Sequence, residues 1–224
     1  MQLWKSLLNL FLQSNCPLCQ RSASQGFCEY CHKQLQKCRL TDSNPRKNNS
    51  PPVIAWGAYG GAIKRAIATM KYENHPEIAR PLGEWLGETW LQNYGYENPF
   101  MVVPIPMHPE KQKERGFNQA ALIAKSFCQT TGLKLKENGL QRVKKTEALF
   151  GLSATQRQET LVEAFEIGKD FIELPNVPVI LVDDIYTTGT TVNSAIETLS
   201  KSGIIVSGVA AVAVPSKANY TKNS

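Results

Sequence analysis

Long apolar runs are missing from this chain of 224 residues. No stretch approaches 18 consecutive apolar residues, so the sequence predicts no transmembrane helix. The start does not read as a secretory leader. The opening MQLWKSLLNLFLQ has one Lys and a short apolar run, and no small-residue cleavage site follows it, so a cytoplasmic location is expected. Two nucleotide signatures are absent as well. There is no G-x-x-x-x-G-K-[ST], which excludes a P-loop, and no G-x-G-x-x-G, which excludes the dinucleotide fingerprint. The composition, 42% hydrophobic and 20% charged, is that of a globular chain long enough for one α/β domain and a small appendage.

The most informative stretch is residues 178–191, PVILVDDIYTTGTT. Val179, Ile180, Leu181 and Val182 follow a proline and precede turn residues, the pattern of a buried strand in a parallel sheet. Asp183 and Asp184 come next, then Thr187, Thr188, Gly189, Thr190 and Thr191. Val192, Ala195, Ile196 and Leu199 then recur at helical spacing. A Gly/Thr turn at a helix start offers N–H groups, hydroxyls and partial positive charge, which suits a phosphate. The two carboxylates can accept hydrogen bonds from a diol or approach a metal ion. Together these features point to a phosphorylated sugar. LVDDIYTTGTT resembles the phosphoribosyl-pyrophosphate (PRPP) signature of type I phosphoribosyltransferases.

Near the start, Cys16-Pro-Leu-Cys19 and Cys28-Glu-Tyr-Cys31 form two C-x-x-C pairs, placing four of the six cysteines within 16 residues. Each pair can turn two thiolates toward one metal, and four sulfur ligands without an open position make a structural zinc site. The surrounding sequence is too poor in apolar residues for a core of its own, so metal would supply folding energy. Disulfides suit a cytosolic chain poorly, and a thioredoxin-type redox pair lacks its βαβ context. His32 and Cys38 read as spare, and Cys128 as a small hydrophobe on a helix pattern.

The net charge of +6 is uneven. Residues 1–50 carry seven cations against Glu29 and Asp42, a net +5. Residues 111–145 carry nine against Glu114 and Glu137, a net +7. Such patches attract phosphates of a small substrate or of nucleic acid, although scattered lysines also serve solubility. Leu3, Trp4, Leu7, Leu8, Phe11 and Leu12 are spaced as an amphipathic helix, which would pack on the rest of the chain or lie on a membrane surface. Residues 41–52 read as a linker. The expected division is a helix and four-Cys module over 1–45 and an α/β domain over 53–215. Strands are expected at 53–59, 100–103 and 204–214, and helices at 62–72, 78–90 and 118–131. Between Pro104-Ile105-Pro106 and the last of these helices, residues 107–116 read as a basic, Gly-containing loop with Lys111, Lys113 and Arg115.

Taken in order, the cysteine pairs, Lys71-Tyr72, PIPMH at 104–108, RGFNQA at 115–120, the segment from Arg142 to Phe165 and VDDIYTTGTT resemble the ComF/GntX family over nearly the whole chain. The resemblance implies a type I phosphoribosyltransferase-like α/β fold. It comprises a parallel sheet with helices on both faces and a flexible hood over 140–165, preceded by a zinc-binding module. It also implies Mg²⁺ with PRPP. In that scheme Asp183 and Asp184 hold the ribose hydroxyls, 187–191 the 5′-phosphate, and Arg115 with Pro104, Ile105 and Pro106 the pyrophosphate. Asp183, Asp184 and Arg115 would then be the catalytic group. The implied setting is natural transformation, beside an ATP-driven competence helicase and single-stranded DNA, with peripheral membrane association through a partner. A non-catalytic adaptor that binds PRPP, nucleic acid or the helicase is the alternative. Two positions depart from the family pattern: Leu149 where T-x-x-Q is usual and Thr160 where R-x-x-N is usual. Thr187 replaces the acid of oxopurine-specific enzymes, so an oxopurine acceptor is not favoured, and no N-terminal Cys glutaminase domain is read, so a glutamine amidotransferase is not expected.

Overall fold

A computed structural model of the chain describes residues 14–23, 26–41, 51–96, 99–144 and 164–216. Two short strands, β1 (Ser14–Asn15) and β2 (Ser22–Ala23), pair antiparallel and lead to helix α1 (Glu29–Gln36). Strand β3 (Val53–Tyr59) is followed by α2 (Gly61–Tyr72) and, after a 3-10 turn at Pro76–Ile78, by α3 (Ala79–Tyr94). Next come β4 (Met101–Pro104), α4 (Pro109–Arg115), α5 (Gln119–Thr131), β5 (Lys134–Leu135) and β6 (Leu140–Arg142). The described chain then continues with β7 (Phe165–Ile167), β8 (Val179–Ile185), α6 (Thr190–Lys201) and β9 (Val206–Pro215).

Five strands form one parallel sheet in the order β3-β9-β8-β4-β5. Apolar residues run without a break through the first four positions of β8, 179–182, because both faces of the strand are covered there, as the VILV run predicts. Successive side chains leave opposite faces of a strand. Ile180 and Val182 join a core with Ile54, Trp56, Val102, Leu82, Ile123 and Phe127, under α2, α3 and α5. Val179 and Leu181 join a second core with Val53, Val103, Val192, Ala195 and Leu199, under α6. Helices α3 and α5 approach to backbone contact: a Cβ on Gly83 would lie 2.5 Å from the Ile123 carbonyl oxygen. From β4 the chain crosses by α5 to β5 on one side. From β8 it crosses by α6 to β9 on the other. The carboxyl ends of the adjacent strands β4 and β8 therefore flank a topological switch point, where open α/β sheets place their ligand crevice.

The cysteine-bearing segment packs into the first core. Cys16, Phe27, Cys28, Cys31 and Leu35 are buried together with Trp56. Trp85 stacks on Trp56 at 4.8 Å between ring centres and on Phe27 at 6.1 Å, and meets His32 edge-on at 5.5 Å. Leu40 N–H donates to the Trp56 carbonyl at 2.9 Å, and Ala58 N–H to that of Cys38 at 2.8 Å, with an antiparallel bridge between Arg39 and Gly57. The outer edge of β3 is thus covered rather than left open for pairing.

Strand 53–59 and the helix ending at Tyr72 lie where the sequence predicts them. The second helix runs four residues past its expected end at 90, to Tyr94. The stretch expected as a basic loop is instead largely helical, as α4. His108 caps this helix, its Nδ1 accepting from Glu110 N–H at 3.3 Å. Pro109 occupies the first turn, and Gly116 closes it in the left-handed region at φ 85°. With no apolar residue among Lys, Gln, Glu and Arg, α4 has no periodicity to reveal it, and only its ends mark it as a helix. The expected N-terminal helix, most of the linker and residues 145–163 of the expected hood lie outside the described residues. The roots of the hood, β6 and β7, pair antiparallel.

Candidate anion-binding site and metal centre

At the switch point Pro104 pairs with Val182, and Ile105 N–H donates to the Val182 carbonyl at 2.9 Å. The Ile105 carbonyl accepts from Asn118 Nδ2 at 3.1 Å, while Asn118 Oδ1 accepts from Ala120 N–H at 3.0 Å and caps α5. The Pro104-Ile105-Pro106 turn is thereby fixed beside Asp183 and Asp184 by β8 on one side and α5 on the other.

The two acids point to opposite faces and have different surroundings. Asp184 is buried. Its Oδ2 lies 2.5 Å from Lys71 Nζ at the end of α2, with side-chain exposures of 4% and 17%. Its Oδ1 accepts from Gln119 Nε2 at 3.1 Å, and Gln119 Oε1 in turn accepts from Arg115 Nη1 at 2.5 Å. Asp183 is half-buried, and its Oδ1 accepts from Asp184 N–H at 2.8 Å. Burial and then the Asp184 charge push the Asp183 carboxyl well above the usual carboxylate range, against the pull of that N–H and of Lys71. Arg142 of β6 faces Asp183 electrostatically. Burial draws its guanidinium down, and the Asp183 carboxylate opposes this.

The turn beyond β8 exposes Thr187, Thr188 and Thr190. The Thr188 and Thr190 hydroxyls lie 2.7 Å apart. Gly189, at the cap of α6, has φ 80°, and a Cβ there would meet the Tyr186 hydroxyl at 2.5 Å, so only glycine fits. The turn brings its hydroxyls and the N-terminus of the twelve-residue helix α6 to one point, the arrangement that receives a phosphate. Next to the acids, a cleft of about 640 Å³ is lined by Lys71, Tyr72, Lys111, Lys113, Arg115 and Gly116, among others. Tyr72 is 78% exposed, and the Arg115 guanidinium sits 5.7 Å from the centre of its ring.

The acid pair, the Thr/Gly turn, Pro104-Ile105-Pro106 and Arg115 therefore gather at the ends of β4 and β8 and at the mouth of the neighbouring cleft. Arg115 reaches the acids indirectly, through Gln119. Sequence reasoning did not assign Lys71 or Gln119 to the site. Both fall in short runs, Lys71-Tyr72 and Asn118-Gln119, noted only for their resemblance, and no local pattern pairs them with an acid on another element. The departures at Leu149 and Thr160 lie outside the described residues.

The Sγ atoms of Cys16, Cys19, Cys28 and Cys31 all lie within 4.8 Å of one another, and those of Cys19 and Cys28 are 3.5 Å apart. Zinc–sulfur bonds of about 2.3 Å set the edges of a tetrahedron near 3.8 Å, so this donor set could hold a metal such as zinc. One pair comes from a turn in which Cys19 N–H and Gln20 N–H donate to the Cys16 carbonyl. The other comes from a helix start: Cys28 caps α1, and Cys31 lies in its first turn. The Cys31 N–H pulls the Cys28 thiol down to about 7, whereas burial pushes Cys31 up to about 12. A helix N-terminus favours the thiolate that a metal needs. Arg65 Nη2 reaches to 3.7 Å from Cys31 Sγ and can stabilise charge on it. Cys128 stands apart on α5, its thiol raised to about 12 by burial. Among the described residues, no helix is long and apolar enough to cross a membrane.

No family model matches the chain. It is 29% identical over 204 residues to Competence protein F of Haemophilus influenzae, covering 88% of this chain and 89% of that protein. It is 28% identical over 192 residues to Competence protein ComFC of Bacillus subtilis, covering 84% and 72%. It is 26% identical over 199 residues to DNA utilization protein YhgH of Salmonella typhimurium, covering 80% and 86%.

Proposed function

The chain belongs to the ComF family, and from that premise we propose that it binds magnesium-PRPP at the β4–β8 crevice and acts in DNA uptake. The observation that carries the ligand assignment is the meeting of three features at one switch point: an acid pair ending β8, a Thr/Gly turn opening α6, and a cationic cleft around Arg115. PRPP has the matching sequence of groups. Its 5′-phosphate suits residues 187–191, its ribose hydroxyls suit the carboxylates of Asp183 and Asp184, and its pyrophosphate suits Arg115 and the Pro104-Ile105-Pro106 turn. Magnesium takes oxygen donors and commonly arrives with substrate phosphates, so a carboxylate pair beside a phosphate cleft fits it. When bound it supplies charge neutralisation at the leaving pyrophosphate. In a transfer reaction the C1–pyrophosphate bond breaks as an acceptor nitrogen bonds to C1. Arg115 and the cleft lysines stabilise the departing charge while the acids hold the ribose in place.

The names of the relatives, competence and DNA utilization proteins, support the wider setting of DNA uptake. The partners in this reading are PRPP, single-stranded DNA and a competence helicase. The exposed ring of Tyr72 among four cations favours a second reading, a nucleic-acid adaptor, because aromatic faces beside basic grooves stack single-stranded bases. Calorimetry with PRPP, with and without Mg²⁺, tests the first reading, with Asp183→Ala/Asp184→Ala as the control. Saturable, Mg²⁺-dependent binding that the double variant loses is expected. No heat at millimolar PRPP would overturn it. Pyrophosphate release in the presence of nucleobases or DNA then separates an enzyme from an adaptor.

A further inference from the structure

Gln119 lies in the first turn of α5, buried, between two groups of opposite charge on different elements. Its Oε1 accepts a hydrogen bond from Arg115 at the end of α4, and its Nε2 donates one to Asp184 in β8. The orientation of the amide is forced. A guanidinium can only donate and an ionised carboxylate can only accept, so the oxygen must face Arg115 and the NH₂ must face Asp184. A neutral side chain that accepts at one end and donates at the other is what can join these two groups without adding charge to a buried site. Lys71 closes the far side of Asp184, and the ring of Tyr72, the next residue, lies against Arg115. The chain of contacts runs Arg115–Gln119–Asp184–Lys71, with Arg115 lining the cleft at one end and Lys71 lining it at the other.

We propose that Gln119 is a positioning residue that couples the anion-binding Arg115 to the Asp183–Asp184 pair. Arg115 is aimed by an amide that is itself aimed by Asp184, so a diphosphate in the cleft finds its guanidinium already oriented. Without Gln119, Arg115 keeps its charge but loses the contact that sets its direction, and Asp184 loses one of two donors. Gln119 does not line the cleft, so its effect on an anion passes through Arg115 and Asp184. This assignment rests on the reading of the crevice as a PRPP site, and it deepens that reading.

The test is titration of the folded full-length protein with magnesium pyrophosphate and with PRPP. Gln119→Leu should weaken both by about tenfold, the scale of one hydrogen bond to a charged group. Gln119→Glu still accepts from Arg115 but sets a carboxylate against Asp184. Its deficit relative to wild type should be large at pH 8 and shrink toward pH 5.5, where a glutamic acid regains a proton to donate. The charged groups in this network are Arg115 on α4, Asp184 on β8 and Lys71 on α2; Asp183 accepts from the Asp184 N–H on the opposite face, with Arg142 of β6 facing it. Taking the ratio to wild type at each pH removes their shared titration. A merely structural role predicts lower stability with unchanged affinity and no pH rescue. Wild-type binding that neither variant alters would overturn the positioning role alone. A wild type that binds neither ligand would overturn the PRPP reading, and with it the proposal.

Discussion

Replacing Lys71 by methionine probes the buried end of the site. The Lys71 ammonium lies 2.5 Å from Asp184 Oδ2, with 4% of the aspartate side chain exposed. Methionine keeps most of the aliphatic stem and removes the charge. Breaking a buried pair from one side costs about 3–5 kcal/mol, because a carboxylate is left in the interior without its counter-charge. Gln119 still donates to Oδ1 at 3.1 Å, and the lysine side chain is 17% exposed, so the lower end, about 3 kcal/mol, is expected. Domains of this kind have about 5–15 kcal/mol in all. With an m-value of about 2 kcal/mol per molar, the urea midpoint should fall by roughly 1.5 M. The companion variant, Lys71→Met/Asp184→Asn, removes both charges and keeps a hydrogen-bonding group opposite Gln119. It should recover to within about 1 kcal/mol of wild type. Urea unfolding followed by tryptophan fluorescence measures all three proteins. A single variant within about 0.5 kcal/mol of wild type, or a double variant no better than the single, would refute the reasoning.

Two more outcomes follow from the site and the metal centre. The Asp183 carboxyl titrates above its unfolded value, so the folded state holds that proton more tightly. The associated stability is complete below the unfolded pKa of about 3.9 and is lost as pH rises through the raised value. Asp183→Asn cannot ionise, so in melting curves it should match wild type near about pH 4 and exceed it at about pH 8; a variant less stable than wild type at the higher pH would count against the burial argument. Metal analysis of the purified protein should find about one zinc per chain, and chelation should lower the melting temperature and change tryptophan emission through Trp85 and Trp56. A metal-free protein with unchanged melting and emission would contradict a structural role.

The sequence made some parts of this molecule plain because their signals are local. Strand β3 has the expected bounds because β-branched and aromatic residues fill it between a proline pair and glycines. The acid pair, the Thr/Gly turn and the paired cysteines each occupy a few adjacent residues, so spacing alone suggests their chemistry. Helix α4 escaped because its charged residues have no apolar face, and its ends were the only sign of it. The Gln119–Asp184 contact joins positions 65 apart, and the order β3-β9-β8-β4-β5 depends on which connections cross which face. Neither is written in any window of the sequence. A buried ion pair such as Lys71–Asp184 is equally illegible, because a lysine that closes a helix has the same local pattern whether it faces water or a carboxylate.

Helix α2 connects the four-cysteine cluster to the cleft beside Asp184. It carries Arg65 to within hydrogen-bonding reach of Cys31 Sγ, and six residues later it carries Lys71 to Asp184. That is about 9 Å along the axis, less than two turns. The side chains between them, Ala66, Ile67 and Met70, are buried in the core that also holds Cys16, Cys31 and Leu35. On the other side, the backbone of Cys38 and Leu40 bonds to the edge of β3, the strand that feeds α2. The cysteine segment therefore grips both the start and the face of the helix whose last turn presents Lys71 and Tyr72 to the cleft. A metal that fixes α1 fixes α2 through shared packing, and α2 fixes the cation on which Asp184 depends. A metal held by the four cysteines would thus stiffen one wall of the cleft through packing alone, since none of the four lines it.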